Sequence, residues 1–175
     1  QKKIKSFIKK NFKSLIALSV ILILTLFSYL FYEDLQKRKE IKLSEQYTQA
    51  TIQFKQKKTK EAKQLLESII IKKHKFYSSL ALYFIIDNNL ESDSEKVINF
   101  FDEILSIRSV DAENLNLIKI KKAIFLFNLG NEDLIIKTLN PIINSNSVWR
   151  SVAIKLISDY FLSKDQKIKA NEYIQ

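Results

Sequence analysis

Residues 14–32, SLIALSVILILTLFSYLFY, run for nineteen positions without a charge, a glycine or a proline. As a helix rising about 1.5 Å per residue, the run would cover roughly 28 Å, close to the ~30 Å hydrocarbon core of a bilayer. Lipid offers a backbone no hydrogen bonds, so the run is expected to be a single transmembrane helix. Lys9, Lys10 and Lys13 precede it and Glu33 and Asp34 follow it, while Tyr29 and Tyr32 stand where interfacial aromatics are enriched. Two other readings fit it less well. A buried core helix of this length usually keeps a polar face. A cleavable signal has an apolar region of about 7 to 15 residues and then small residues, whereas this run ends in Leu30, Phe31 and Tyr32.

The flanks set the direction. Lys2, Lys3, Lys5, Lys9, Lys10 and Lys13 precede the run with no acid among them, and Lys37, Arg38, Lys39 and Lys42 follow two acids on the other side. The positive-inside rule therefore predicts a cytoplasmic N-terminus and export of the remainder. Residues 1–13 are expected to be a cytoplasmic basic stub, residues 14–32 the transmembrane helix, and residues 33–175 a helical repeat domain. Residue 1 is not Met, so the native start is expected upstream of Gln1.

The single glycine and single proline, Gly130 and Pro141, argue against an all-β domain, whose turns lean on both. With no cysteine there is no disulfide, no thiolate metal site and no cysteine nucleophile. The net charge of +10 raises the question of nucleic acid, but six of the 29 basic residues belong to the N-terminal flank. Beyond it, residues 35–75 hold twelve basic and four acidic residues, and residues 76–175 hold eleven and thirteen. A basic collar beside a bilayer attracts anionic headgroups at about 1 kcal/mol per Lys or Arg, and the same pattern also fits a solvated helix face. No nucleic-acid-binding module is present.

After the apolar run the spacing predicts a continued amphipathic helix to Lys58, then a helix from Glu61 with Thr59 as its N-cap. A second pair is expected over residues 76–88 and 92–105, with Ser92 and Glu95 as a capping box. Residues 111–129 and 132–143 form the third pair, with Gly130 as a left-handed C-terminal residue, Asn131 as the N-cap, and Pro141 bending or ending the second helix. Residues 148–162, which include Trp149, pair with the stretch from Asp165 onward.

The pairs share a register. Ala62, Val97, Ile135 and Ala170 follow their loops at the same offset, separated by 35, 38 and 35 residues, and Lys57, Ser92, Gly130 and Asp165 repeat these intervals. Two helices per period of about 34 residues mark tetratricopeptide-type repeats, whose hairpins bury their apolar faces only by stacking. The fold expected is therefore all-α: one N-terminal transmembrane helix, then a solenoid of about four helical hairpins. An irregular helical bundle would account for the helices equally well, and the spacing is what favours repeats.

The basic stub, uncleaved span, juxtamembrane helix and four degenerate hairpins together resemble the YfgM-like family, the ancillary subunit of the SecYEG protein translocon. The stretches that carry the likeness are Ile136-Lys137-Thr138-Leu139, the segment around Trp149, and residues 163–170, SKDQKIKA. In the last of these Asp165 stands where the family has Gly, so the turn is expected to differ. The resemblance implies a bacterial inner-membrane protein whose periplasmic repeats contact translocon subunits, periplasmic chaperones or emerging secretory chains, with no catalysis.

The residues independently point away from chemistry. His74 lies among Lys72, Lys73 and Lys75, and the acid pairs Asp102-Glu103 and Glu132-Asp133 suit helix starts and polar faces. No phosphate loop, nucleophile motif or metal-ligand spacing is present, so no cofactor, metal, small-molecule substrate or nucleic acid is expected. A protein partner would meet the concave face lined by the first helices of the hairpins. Candidates on it are Tyr47, Tyr77, Tyr83, Lys119, Lys122, Trp149 and Arg150, because aromatics and Arg anchor interfaces. Core packing of the aromatics and solvation of the lysines are the plainer readings. Two other functions suit the same sequence: a cell-envelope or division scaffold, and an anionic-lipid-binding stalk.

Overall fold

The computed structural model describes residues 12–174. Among them are eight helices: α1 (Phe12–Lys55), α2 (Thr59–Ile71), α3 (Tyr77–Asp87), α4 (Ser94–Leu105), α5 (Ala112–Leu129), α6 (Glu132–Ile143), α7 (Arg150–Ser163) and α8 (Lys167–Ile174). No strand occurs among the described residues. The lysines at 2, 3, 5, 9 and 10 lie outside them. The chain divides into two compact units, Gln1–Glu45 and Gln46–Gln175, so the boundary falls within α1.

In the first unit the stretch of α1 over residues 18–32 is apolar on every side. Ile21, Leu24, Phe27 and Phe31 are each more than half exposed, and α1 is the one described helix long and apolar enough to cross a membrane. Two of its polar groups find partners within the helix. The Thr25 hydroxyl donates back to the Leu22 and Ile21 carbonyls at 2.8 and 3.0 Å. Further along, Arg38 Nε pairs with Asp34 one turn earlier at 2.7 Å.

The second unit repeats one device four times. After α1, α3, α5 and α7 the chain passes through a left-handed residue: Lys57 (φ +62°), Asn89 (+49°), Gly130 (+69°) and Asp165 (+57°). At each, two amides turn back onto the last helical carbonyls. Lys57 N–H bonds Phe54 O and Lys58 N–H bonds Gln53 O, and the same pair recurs at Asn89 and Leu90, at Gly130 and Asn131, and at Asp165 and Gln166. This double bond closes a helix whose final carbonyls have no partner within it. The left-handed turn expected at Gly130 is thus present. Asp165 makes the same turn as Gly130 although it carries a side chain, which corrects the expectation that its turn would differ.

The next helix then begins in a fixed register. The carbonyls of Lys58, Asp93, Asn131 and Gln166 accept from the amides of Ala62, Val97, Ile135 and Ala170 at 3.1 to 3.2 Å. The four donors of this register, 35, 38 and 35 residues apart, carry side chains at most 2% exposed. Only the second turn is longer, with Asn89 four residues before the cap instead of one.

Three details differ from the sequence reading. Thr59 is the first residue of α2, and Lys58 before it makes no side-chain cap. Asp93, not Ser92, caps α4: its carboxylate accepts from Glu95 N–H at 3.0 Å and Lys96 N–H at 3.3 Å, two donors that a carboxylate can hold together. Trp149 precedes α7 instead of lying in it. Asp111 and Asn131 cap α5 and α6 through Asn114 N–H and Leu134 N–H. Pro141 lies inside α6, which ends two residues later at Ile143.

From α2 to α8 each helix packs on its sequence neighbours, and α2 also packs on α4 and α5 on α7. That is how an α-solenoid shares its core between hairpins. Leu126, Ile135, Leu139, Ile142, Ile157 and Phe161 form part of one continuous buried cluster across α5 to α7. Tyr160 from α7 reaches the preceding hairpin, where its hydroxyl donates to the Gly130 carbonyl at 3.2 Å.

Candidate functional site

The second unit has two sets of turns. Those within hairpins, at residues 56–58, 88–93, 130–131 and 164–166, lie on one edge, and those between hairpins, at residues 72–76, 106–111 and 144–149, lie on the other, because successive helices run antiparallel. Contacts hold neighbours on each edge together. Between hairpins, Lys73 bonds Glu103 at 2.7 Å and Ser106 Oγ at 3.2 Å, and Ser147 Oγ donates to Glu113 at 2.6 Å. On the within-hairpin edge, Lys169 pairs with Glu132 at 2.9 Å.

The candidate residues do not form one site. Tyr47 and Tyr83 belong to a row along the first helices. The Tyr47 ring meets Phe84 edge-on at 6.1 Å, with Phe54 on the same ring at 5.3 Å. Lys121 Nζ lies 5.3 Å from the centre of the half-buried Tyr83 ring, a cation–π contact that keeps both groups at the surface. Burial pushes the Tyr83 hydroxyl above its ordinary pKa. Lys119 is half-buried beside Asn116, at 3.4 Å. Exposed Ile124 on α5 and Val152 on α7 add apolar surface.

Tyr77, Trp149 and Arg150 belong instead to the edge between hairpins. Tyr77 packs between His74 and Phe76, with ring centres at 5.3 and 5.1 Å. Trp149 is half-buried against the α5–α7 core, and its amide donates to Ser147 Oγ at 3.1 Å. The exposed Arg150 donates through Nε to the Ile143 carbonyl at 2.9 Å, and it borders a groove of about 490 Å³ with Asn140, Asn144, Glu172 and Tyr173.

Lys122 stands apart from both groups. It is 7% exposed, on the same stripe of α5 as Ile118 and Leu126, and its Nζ pairs with Asp102 of α4 at 2.6 Å. Its charge is committed within the fold. Sequence reasoning missed Lys121, Phe84 and Ile124. On the helical wheel Lys121 lies about 100° around α5 from the stripe of Ile118, Lys122 and Leu126, so the spacing already set it apart from that buried stripe.

Among the described residues no group of three or more His, Cys, Asp or Glu side chains could hold a metal. The densest ionic cluster is built for packing. The Glu91 carboxylate, 6% exposed, meets Lys63 at 2.8 Å and Lys96 at 3.1 Å, while Lys96 also reaches Glu67 at 2.7 Å. Its bonds to Lys63, foremost, and to Asp93 N–H and Lys96 hold its pKa down at about 2. This cluster fastens the long second turn to α2.

No curated protein and no solved structure matches the chain. A tetratricopeptide repeat-like domain matches residues 5–170. Such domains are protein-interaction folds, in keeping with a surface that offers aromatic and basic side chains and no reactive cluster among the described residues. By its repeated hairpins and by this match over nearly its whole length, the chain belongs to the tetratricopeptide repeat-like domain family.

Proposed function

We propose that the protein is a membrane-anchored interaction scaffold whose repeats hold another polypeptide. The observation that carries this reading is the pairing, through the unbroken helix α1, of an apolar rod with a repeat unit of a protein-binding family. In this reading residues 14–32 span a bacterial inner membrane, residues 1–13 stay cytoplasmic and residues 33–175 are periplasmic. The partner lies along the first helices, where Tyr47, Tyr83 and Lys121 are available, and Arg150 and Trp149 border a second contact. Translocon subunits, with chaperones or emerging secretory chains, are the partners that the resemblance to the YfgM-like family suggests.

Two measurements separate the parts of this reading. In spheroplasts the repeat unit should be cut by added protease while the N-terminus is protected, and the reverse pattern would overturn the orientation. Affinity purification from mild detergent should bring down translocon subunits. Recovery of the intact membrane protein without them would remove the translocon role and leave the anchored scaffold standing.

A further inference from the structure

The two edges of the repeat unit differ in chemistry. On the edge between hairpins, residues 71–76 read IKKHKF, and the other two turns read SIRSVD and NSNSVW. Ile71, Phe76 and Val148 are 69, 58 and 77% exposed there, and Trp149 is half-exposed. Lys72, Lys73, Lys75 and Arg108 supply positive charge against Asp111 alone within these turns, and no acid occurs between Glu67 and Asp87. Nearby acids already have uses: Glu103 pairs with Lys73, Glu113 accepts from Ser147, and Asp111 caps α5. Lys72 bonds the neutral Gln46 side chain, which leaves its charge in place. The turns of the opposite edge balance Lys57, Lys58 and Lys164 against Glu91, Asp93 and Asp165, and its exposed apolar side chains, Leu129 and Ile168 at 45 and 80%, lie in the helices beside the turns.

We propose that the edge between hairpins docks on an anionic lipid surface. Protruding aliphatic and aromatic side chains among lysines are the chemistry of interfacial insertion, with the apolar groups at the acyl boundary and the cations at headgroup phosphates. The proposal rests on the reading of residues 14–32 as a span, because tethering to a bilayer gives weak lipid contacts a high effective concentration. A soluble protein has no comparable reason to expose Ile71, Phe76 and Val148 beside Lys72, Lys75 and Arg108 on joined turns.

The chain has no native cysteine, so single probes are clean. Full-length protein with a fluorophore on Ser109→Cys, Ser92→Cys or Leu24→Cys is reconstituted into vesicles containing spin-labelled lipid. The vesicles are phosphatidylcholine alone or mixed equally with phosphatidylglycerol. In the mixed vesicles the Ser109 probe should be quenched at least about threefold more than the Ser92 probe, and high salt or neutral lipid should abolish the difference. Adding Lys72→Glu, Lys75→Glu and Phe76→Ser should abolish it as well. Equal quenching at Ser109 and Ser92 with Leu24 deeply quenched overturns the lipid surface alone. An unquenched Leu24 overturns the span and the docking surface together. Shielding of Ser109 from an aqueous quencher in lipid-free detergent assigns the edge to a second copy and also overturns the proposal.

Discussion

Asp165 holds its backbone at φ +57°, where a Cβ crowds the following carbonyl, yet it closes α7 with the same two bonds that Gly130 makes after α5. Asp165→Gly should therefore stabilise the protein by about 0.5 kcal/mol. Gly130→Ala should cost about 1 kcal/mol, from backbone strain alone, because a Cβ there would meet nothing nearer than Lys164 Nζ at 3.9 Å. Urea denaturation measures both. The same assay tests the corrected cap: Asp93→Ala should lose about 1 kcal/mol and Ser92→Ala almost nothing. Glu91 predicts a pH effect. Its carboxyl falls from an ordinary 4.5 to about 2 in the folded protein, so its stabilisation is complete above pH 4.5 and fades as pH falls toward 2. Glu91→Gln should flatten that acid limb of the stability profile.

At the scale of helices, α5 shows what the sequence could and could not reveal. Its core stripe of Ile118, Lys122 and Leu126 follows helical spacing, but a lysine in the pattern was taken for surface. What decides its position is Asp102 on another helix, 20 residues earlier, a pairing that no local pattern contains. Replacing Lys122 by Met should be nearly neutral. Asp102→Ala should cost about 1 kcal/mol or more, since it leaves the buried ammonium without its partner. The register of the second helices was legible because Ala62, Val97, Ile135 and Ala170 mark it with buried side chains. The turn positions were less so. Lys57, Asn89 and Asp165 take the left-handed role without glycine, and Asn89 does so three residues before Ser92, where even spacing had placed it. The core itself follows ordinary rules, so Leu139→Ala, at a fully buried site, should cost about 2–5 kcal/mol.

For the whole molecule, the sequence showed the apolar rod and the period of the repeats, both of which are written in local residue types. The binding surface was legible only in part, because stacking decides which aromatics remain available. Tyr83 is left half-exposed under Lys121, whereas Trp149 gives one side to the core and Lys122 turns inward. The proposed scaffold role predicts that a partner meets the repeats along the first helices and not along the second. Photo-crosslinking in native membranes tests that most directly, with the reactive residue at Tyr83, at Lys121, or at the exposed Lys137 of α6 as a control. The account predicts that Tyr83 and Lys121 capture the same protein and Lys137 does not. Equal capture at all three positions, or capture at Lys137 alone, would contradict it.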